Sequence, residues 1–181
     1  VQRLAEGLGA GALPAVASLH LNMPVGDAGA SALAVALGRG ALPRLSILHL
    51  FHTAIGDAAL VALAPALRRL PALRRLGLMN NPLGDEGLAA LVAPPPPVGA
   101  LPLPAGGLKK LKSLYLSFAQ VTDAGCATLA SALDSGALPA LEVLGLDGIP
   151  ASAAAKEAVD AALARSRAAF QSYAPSCRRL S

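Results

Sequence analysis

The sequence predicts an α/β solenoid: a right-handed horseshoe arc with a concave parallel sheet of about five strands and helices on its convex side. Two observations carry this. The first is composition. Alanine and leucine together supply 76 of 181 residues, aromatics are 3%, tryptophan is absent and charged residues are only 14%. That excludes disorder driven by charge, and it excludes a core centred on large aromatics. A chain of this length holds one ordinary domain, so its core must pack through many similar Leu and Ala positions. The second observation is that three motifs recur in phase along the chain, which marks a repeated unit.

The strands come first. Segments of the form aliphatic-x-x-Leu-x-Leu begin at Val16, Leu45, Leu73, Leu111 and Leu141, and their middle leucines are Leu19, Leu48, Leu76, Leu114 and Leu144. The intervals are 29, 28, 38 and 30 residues. In Leu-x-Leu both leucines share one face of a short strand and the residue between them points away. A Gly/Thr-Asp step follows each of the first four, with Asp27, Asp57, Asp85 and Asp123 just ahead of Ala/Leu-rich runs such as Ser31 to Leu37. An Asp there can cap the orphan N–H groups of its helix and meet the positive helix end. Gly38, Gly40 and Gly136, with the Leu-Pro pairs ending at Pro43, Pro71 and Pro139, close the helices. Each unit is therefore strand, turn, helix, turn. Parallel strands joined by a crossover helix obey the right-handed connection rule.

These motifs resemble the leucine-rich repeat family over roughly residues 4 to 165. The period and the Gly-Asp-x-Gly step are similar to its ribonuclease-inhibitor-like subclass, which also contains the repeat domains of NOD-like receptors and the GTPase-activating protein of Ran. The resemblance implies the fold and an interior cellular setting. The family places Asn three residues after the second leucine, where it ties backbone groups between turns. Only Asn81 fits; Thr53, Ala119 and Ile149 stand at the equivalent positions, and the first repeat is one residue short near Pro24. A mostly missing Asn ladder predicts looser turns.

The domain organisation follows. Residues 1–150 read as repeats, of which 1–15 are a partial first repeat: Val1, Leu4, Ala5 and Leu8 share a helical face with no strand before them. The array is expected to begin partway through a unit. Residues 94–107 are a Pro/Gly-rich insertion, read either as a spacer of polyproline II character or as a ligand for a proline-binding domain. Residues 151–170 are expected to form a polar capping helix started by Ser152, and 171–181 a loose tail. Charge-free stretches are broken by Gly and Pro, so no membrane span is expected, and no basic-then-apolar leader marks a signal peptide. Two cysteines argue against a disulfide framework and for a reducing, intracellular, cytoplasmic setting.

Chemistry is sparse. His20 and His49 share one strand position in successive repeats, close enough to touch, but a metal needs a third ligand. No Gly-rich phosphate loop or nucleophile set is present, so neither cofactor, metal nor enzymatic activity is expected. Cys126 falls on an inward helix position, and Cys177 lacks a base. The candidate partner surface is the concave face, with His20, His49, Phe51, Arg75, Met79, Tyr115 and Phe118. Strand alternation turns Phe51 and Tyr115 to solvent, where exposed aromatics make binding hot spots. The alternative is that Phe51 covers its neighbour and Phe118 tucks into a turn. Arg44, Arg74, Lys110 and Lys112 form a basic rim, either solubilising or matched to an acidic patch on a partner protein. A net charge of +4 without interleaved aromatics argues against nucleic acid.

The function this supports is a non-catalytic protein-protein interaction module. Alternatives are a GTPase-activating regulator of a small GTPase, or a structural segment of a larger NOD-like receptor-type protein. A testable expectation concerns the ends: hydrogen exchange should find weak protection from Val1 to Leu13 and strong protection at Leu48, Leu76 and Leu114. Uniform protection from residue 1 onward would contradict a partial first repeat.

Overall fold

A computed structural model describes residues 13–92 and 108–173, with side chains through residue 170. The elements alternate as β1 (Ser18–Leu21), α1 (Gly26–Gly38), β2 (Ile47–Leu50), α2 (Asp57–Arg69), β3 (Arg75–Gly77), α3 (Asp85–Val92), β4 (Ser113–Tyr115), α4 (Asp123–Asp134), β5 (Val143–Gly145) and α5 (Ala153–Tyr173). The five strands form one parallel sheet in chain order. Its register places Leu19, Leu48, Leu76, Leu114 and Leu144 in a single row.

That row is the floor of the core. Leu48, Leu76 and Leu114 are fully buried, as are Leu50, Leu78 and Leu116 two residues on. Leu19 and Leu144, at the sheet ends, are half-buried. The helices lay Leu33, Leu60, Leu63, Leu88 and Leu129 against them. Each fully buried leucine is worth about 1.5–3 kcal/mol relative to an exposed one. Small residues at Ala30, Ala59 and Cys126 let the helices close on the sheet. The last helix, α5, packs on α4 through Val159, Ala162 and Leu163 and turns Glu157, Asp160 and Arg167 outward.

The helix ends follow the sequence cues. Gly40 and Gly136 adopt positive φ, and each starts a closing turn in which the next residue, Ala41 or Ala137, donates back to the carbonyl of Ala36 or Ala132. Pro65 lies inside α2, which the sequence reading did not anticipate. It sits on the exposed convex side beside Val61, where water can meet the carbonyl that its missing N–H leaves free.

The helix starts require a correction. The repeated aspartates do not cap their own helices. Each carboxylate reaches across to the unit that follows. Asp27 Oδ1 accepts from the Gly56 N–H at 3.1 Å. Asp57 Oδ1 accepts from Gly84 at 2.6 Å and Gly87 at 3.0 Å. Asp85 takes the amide of Thr122 on one oxygen and its hydroxyl on the other. Asp123 takes the amide and hydroxyl of Ser152 in the same way. Thr122 and Ser152 then cap their own helices, accepting from Ala124 and Ala155. The reason is geometric: the Asp falls inside the first helical turn and its side chain lies beside the next helix's opening, where unpaired N–H groups and the positive helix end converge. The Gly of the step is explained too. A Cβ on Gly87 would stand 2.6 Å from Asp57 Oδ1, and one on Gly125 would overlap the Asp85 carboxylate.

The one Asn of the ladder position forms a full rung. Asn81 is buried, and its Oδ1 accepts from the Thr53 amide, the Thr53 hydroxyl and the Ile55 amide. Its Nδ2 donates to the carbonyls of Leu50, Leu78 and Met79. At the other positions Ala119 and Ile149 are buried as apolar plugs instead. Backbone bonds then carry the turn, as from Gln120 N–H to the Leu83 carbonyl. The partial first repeat, the insertion at 94–107 and the tail with Cys177 fall wholly or largely outside the described residues. No helix among the described residues is long and apolar enough to cross a membrane.

The inter-repeat carboxylates make a quantitative expectation. Asp57→Ala should destabilise by about 1 kcal/mol, as loss of a cap does. Gly87→Ala should cost about 1–3 kcal/mol by crowding that same carboxylate. Because both act on one contact, the double variant should fall short of the sum by at least about 0.5 kcal/mol in denaturant melts. Strict additivity would overturn the bridge.

Candidate functional site

The concave surface is the row that alternation turns away from the core. Its central column is His20, His49, Gly77, Tyr115 and Gly145 in register. The neighbouring column is Ser18, Ile47, Arg75, Ser113 and Val143. Phe51 and Met79 follow the strands, two residues past His49 and Gly77.

The first half of the column is a stack. His49 and His20 meet edge to face with ring centroids 4.6 Å apart, and their Nδ1 atoms are 3.1 Å apart. One ring must donate and the other accept, so the pair shares a single proton between these atoms when neutral. His20 Nε2 lies 2.6 Å from the Ser18 hydroxyl. His49 stacks on Phe51 at 4.7 Å with the planes 26° apart. Its Nε2 is covered and has no hydrogen-bond partner among the described residues. Burial, then the His20 ring and then the Arg75 guanidinium hold His49 below the usual imidazole range.

The aromatics are held by glycines of the next repeat. A Cβ at Gly77 would overlap the Phe51 ring and meet His49. One at Gly145 would stand 3.1 Å from Tyr115, and one at Gly148 would overlap Phe118. Each ring therefore leans over a residue that has no side chain. This corrects the simple reading of alternation. Phe51 and Tyr115 are half-buried, so Phe51 covers its neighbour in the next repeat while keeping one side open. Phe118 does not tuck into the turn. It is 56% exposed, while the adjacent Ala119 fills the buried position. Its left-handed backbone, shared with His52 and Asn80 at the same repeat position, swings the ring outward onto Gly148. Ser113 and Ser117, on nominally outward positions, are buried, and the Ser117 hydroxyl donates to Asp147 at 3.4 Å.

The structure thus brings His20, His49, Phe51 and Arg75 into one cluster, with Arg75 felt electrostatically by His49. Tyr115 lies two strands along, and Phe118 sits apart at a corner. Met79 is half-buried beside them. Of the rim, Arg44, Arg74 and Lys110 are exposed, whereas Lys112 is tied to Glu142 at 2.6 Å. Gly77, Gly145 and Gly148 were not singled out from the sequence. The signal for them was present: a ring in one repeat followed by glycine at the same position in the next. Cys126 is buried, which pushes its thiol up, with the charge of Asp123 adding to the effect. Among the described residues, no group of three or more His, Cys, Asp or Glu is placed to hold a metal ion.

Comparison with known proteins bears on the fold. Residues 43–64, 70–92 and 107–130 match the family model described as Leucine Rich repeat. No curated protein matches the chain in sequence. Among solved structures, leiomodin-1 Actin-Binding Site 2 superposes with a TM-score of 0.67 at 15% identity, covering 94% of this chain and 91% of that one. The tropomodulin C-terminal domain of Caenorhabditis elegans gives 0.65 at 17% identity, covering 95% and 96%. At these identities the likeness is one of fold.

The His49 environment predicts a pH dependence. Folding favours neutral His49, so the stability it contributes is complete above the unfolded imidazole pKa of about 6.5. It is lost as pH falls from there through the lowered native value. Denaturant titrations between pH 7 and pH 5 should show this loss, and His49→Leu should flatten it. Asp123, held low by its bonds from Ser152, and Asp134, held low by Arg165, lose their contributions only at more acidic pH. An unchanged slope in the variant would refute the assignment.

Proposed function

We propose that this leucine-rich-repeat solenoid is a non-catalytic protein-interaction module that takes a partner protein on its concave face. The observation that carries the reading is the Phe51–His49–His20 stack, with Tyr115 farther along the same sheet. These rings are preorganised by glycines in the next repeat, yet each keeps an open side. Rigid, half-exposed aromatics lose little conformational freedom on binding and are typical anchors of protein interfaces. Met79 and Arg75 extend the patch, and Phe118 forms an outlying contact at the corner. An intracellular, cytoplasmic setting without nucleic acid or membrane partners belongs to the same proposal, as does membership of the ribonuclease-inhibitor-like subclass. Three of the four repeat spacings, at 28 to 30 residues, with a helix in each unit, support the subclass. The division into repeats at 1–150, with α5 as the closing cap, is part of the same proposal.

The leiomodin-1 neighbour is named for an actin-binding site, which makes actin the first partner to try. The experiment compares the parent chain with Phe51→Ala, Met79→Ala and Tyr115→Ala, measuring melting temperature, actin cosedimentation and capture of partners from native lysate. We expect each variant to fold, with melting lowered by only a few degrees, and to lose at least half of the captured partner. Large destabilisation with full capture by the folded fraction would overturn the concave-face reading and leave these rings as packing alone.

A further inference from the structure

The two edges of the solenoid carry opposite charge. On the edge where strands end and helices begin, residues 22–29, 51–58, 79–87 and 117–125 contain five acids and no Lys or Arg. Four of those acids, Asp27, Asp57, Asp85 and Asp123, are engaged by amides and hydroxyls of the following repeat. On the edge where helices end and strands begin, residues 38–46, 68–75 and 108–113 contain nine cations and no acid, and the turn before β5, residues 134–142, adds Asp134 and Glu142, each already paired with a cation, Arg165 and Lys112. Here the fold uses few of the charges. Arg68 donates to the carbonyls of Ala90 and Leu91 at the end of α3, and Lys112 pairs with Glu142. Arg44, Arg69, Arg74, Arg75, Lys109 and Lys110 are all exposed and make no ion pair or side-chain hydrogen bond among the described residues.

Helix dipoles account for only part of this. A cation gains from a helix C-terminus only within about the last turn. Arg69 qualifies, but Arg44 lies six residues beyond the end of α1, and Arg74 and Arg75 lie five and six beyond the end of α2. Arg74 and Lys112 are also adjacent across the β3–β4 step, since the Lys112 amide donates to the Arg74 carbonyl. Like charges set side by side on neighbouring strands destabilise the fold. Glu142, just ahead of β5, relieves Lys112, but no acid among the described residues pairs with Arg74.

We propose that this strand-start edge docks an acidic, extended segment of a partner protein, its carboxylates pairing with Arg74, Arg75 and Lys110 and then with Arg44 and Lys109 on either side. The proposal rests on the reading of the chain as a protein-interaction module and names the chemistry of the partner. Arg75 opens β3, Arg74 precedes it, and Arg44 and Lys110 lie three residues ahead of β2 and β4, so the cations run across three successive units, a row that carboxylates on a crossing extended peptide can follow. Arginine forks favour carboxylates in paired geometry. A nucleic acid is disfavoured because single strands bind by stacking bases on open rings beside the cations. No Phe, Tyr or Trp lies within residues 38–46, 68–75 or 108–113, and Phe51 follows β2 at the opposite edge.

The test uses the full chain at low salt, with fluorescence anisotropy of an oligoglutamate peptide and of a single-stranded oligonucleotide of equal charge. The expected result is salt-sensitive binding of the peptide, at least as tight as that of the oligonucleotide. Arg74→Glu with Lys110→Glu should weaken the peptide by about tenfold or more at unchanged melting temperature. Should that pair fail to fold, Arg44→Glu with Lys109→Glu serves in its place. Phe51→Ala should leave oligoglutamate binding intact. No peptide binding, or peptide binding indifferent to the charge reversals, would overturn the proposal. Tighter binding of the oligonucleotide, lost in the same variants, would overturn it in favour of a nucleic-acid edge. Because the peptide assay does not touch the concave rings, failure here leaves the concave-face reading standing, and failure of the ring variants leaves this one.

Discussion

The structure depends on one contact made over and over: a carboxylate from the first helical turn of one repeat accepting the N–H groups that open the next helix. A helix start carries unpaired donors and a partial positive charge. In this chain the preceding unit supplies the acceptor, from Asp27 to Gly56, Asp57 to Gly84 and Gly87, Asp85 to Thr122 and Asp123 to Ser152. The bond fixes how far each helix stands from its neighbour. That spacing allows the leucine row of the sheet to stay in register and the helix leucines to close over it. It also accounts for glycine at 87 and 125, where any side chain would displace the carboxylate.

The same economy shapes the surface. Four of five acids on one edge are spent inside the fold, while most cations at the starts of β2, β3 and β4 are not, so a fairly small net charge of +4 conceals a local concentration of unused positive charge. On the concave side the rings are partly spent as well. Phe51 gives one side to His49 and Gly77 and keeps the rest for solvent. Half-burial is what a binding anchor requires: enough packing to hold the ring still, with enough of it left open to meet something else.

Much of this was legible in the residues. Strand positions, helix positions and sheet order follow from Leu-x-Leu spacing and from the short-range physics of parallel strands, because core leucines repeat with the period of the fold. The closeness of His20 and His49 follows from the same register. What the residues did not reveal was which side-chain groups of one repeat are used by the next. Asp57 and Gly87 are 30 residues apart in sequence, and an Asp at a helix start has a ready local explanation as a cap for its own helix. Alternation gave the outward direction of Phe51 and Tyr115 but not their neighbours, so the glycines beneath them went unnoticed. Phe118 turns outward because of a left-handed backbone angle, a conformation that a Phe gives no reason to expect.

Rings seated on glycines have a consequence for how such a chain can change. Repeat arrays commonly lengthen by copying a unit, since each copy presents the same faces to its neighbours. Here the units are not interchangeable. The repeat carrying His49 and Phe51 must be followed by one with Gly77, and the repeat carrying Tyr115 and Phe118 by one with Gly145 and Gly148. A tandem duplicate of the His49 repeat would present a second imidazole where the first copy's Phe51 needs empty space. The order of the units is thereby locked pairwise, and any duplication would have to carry a ring-bearing repeat and its glycine-bearing successor together.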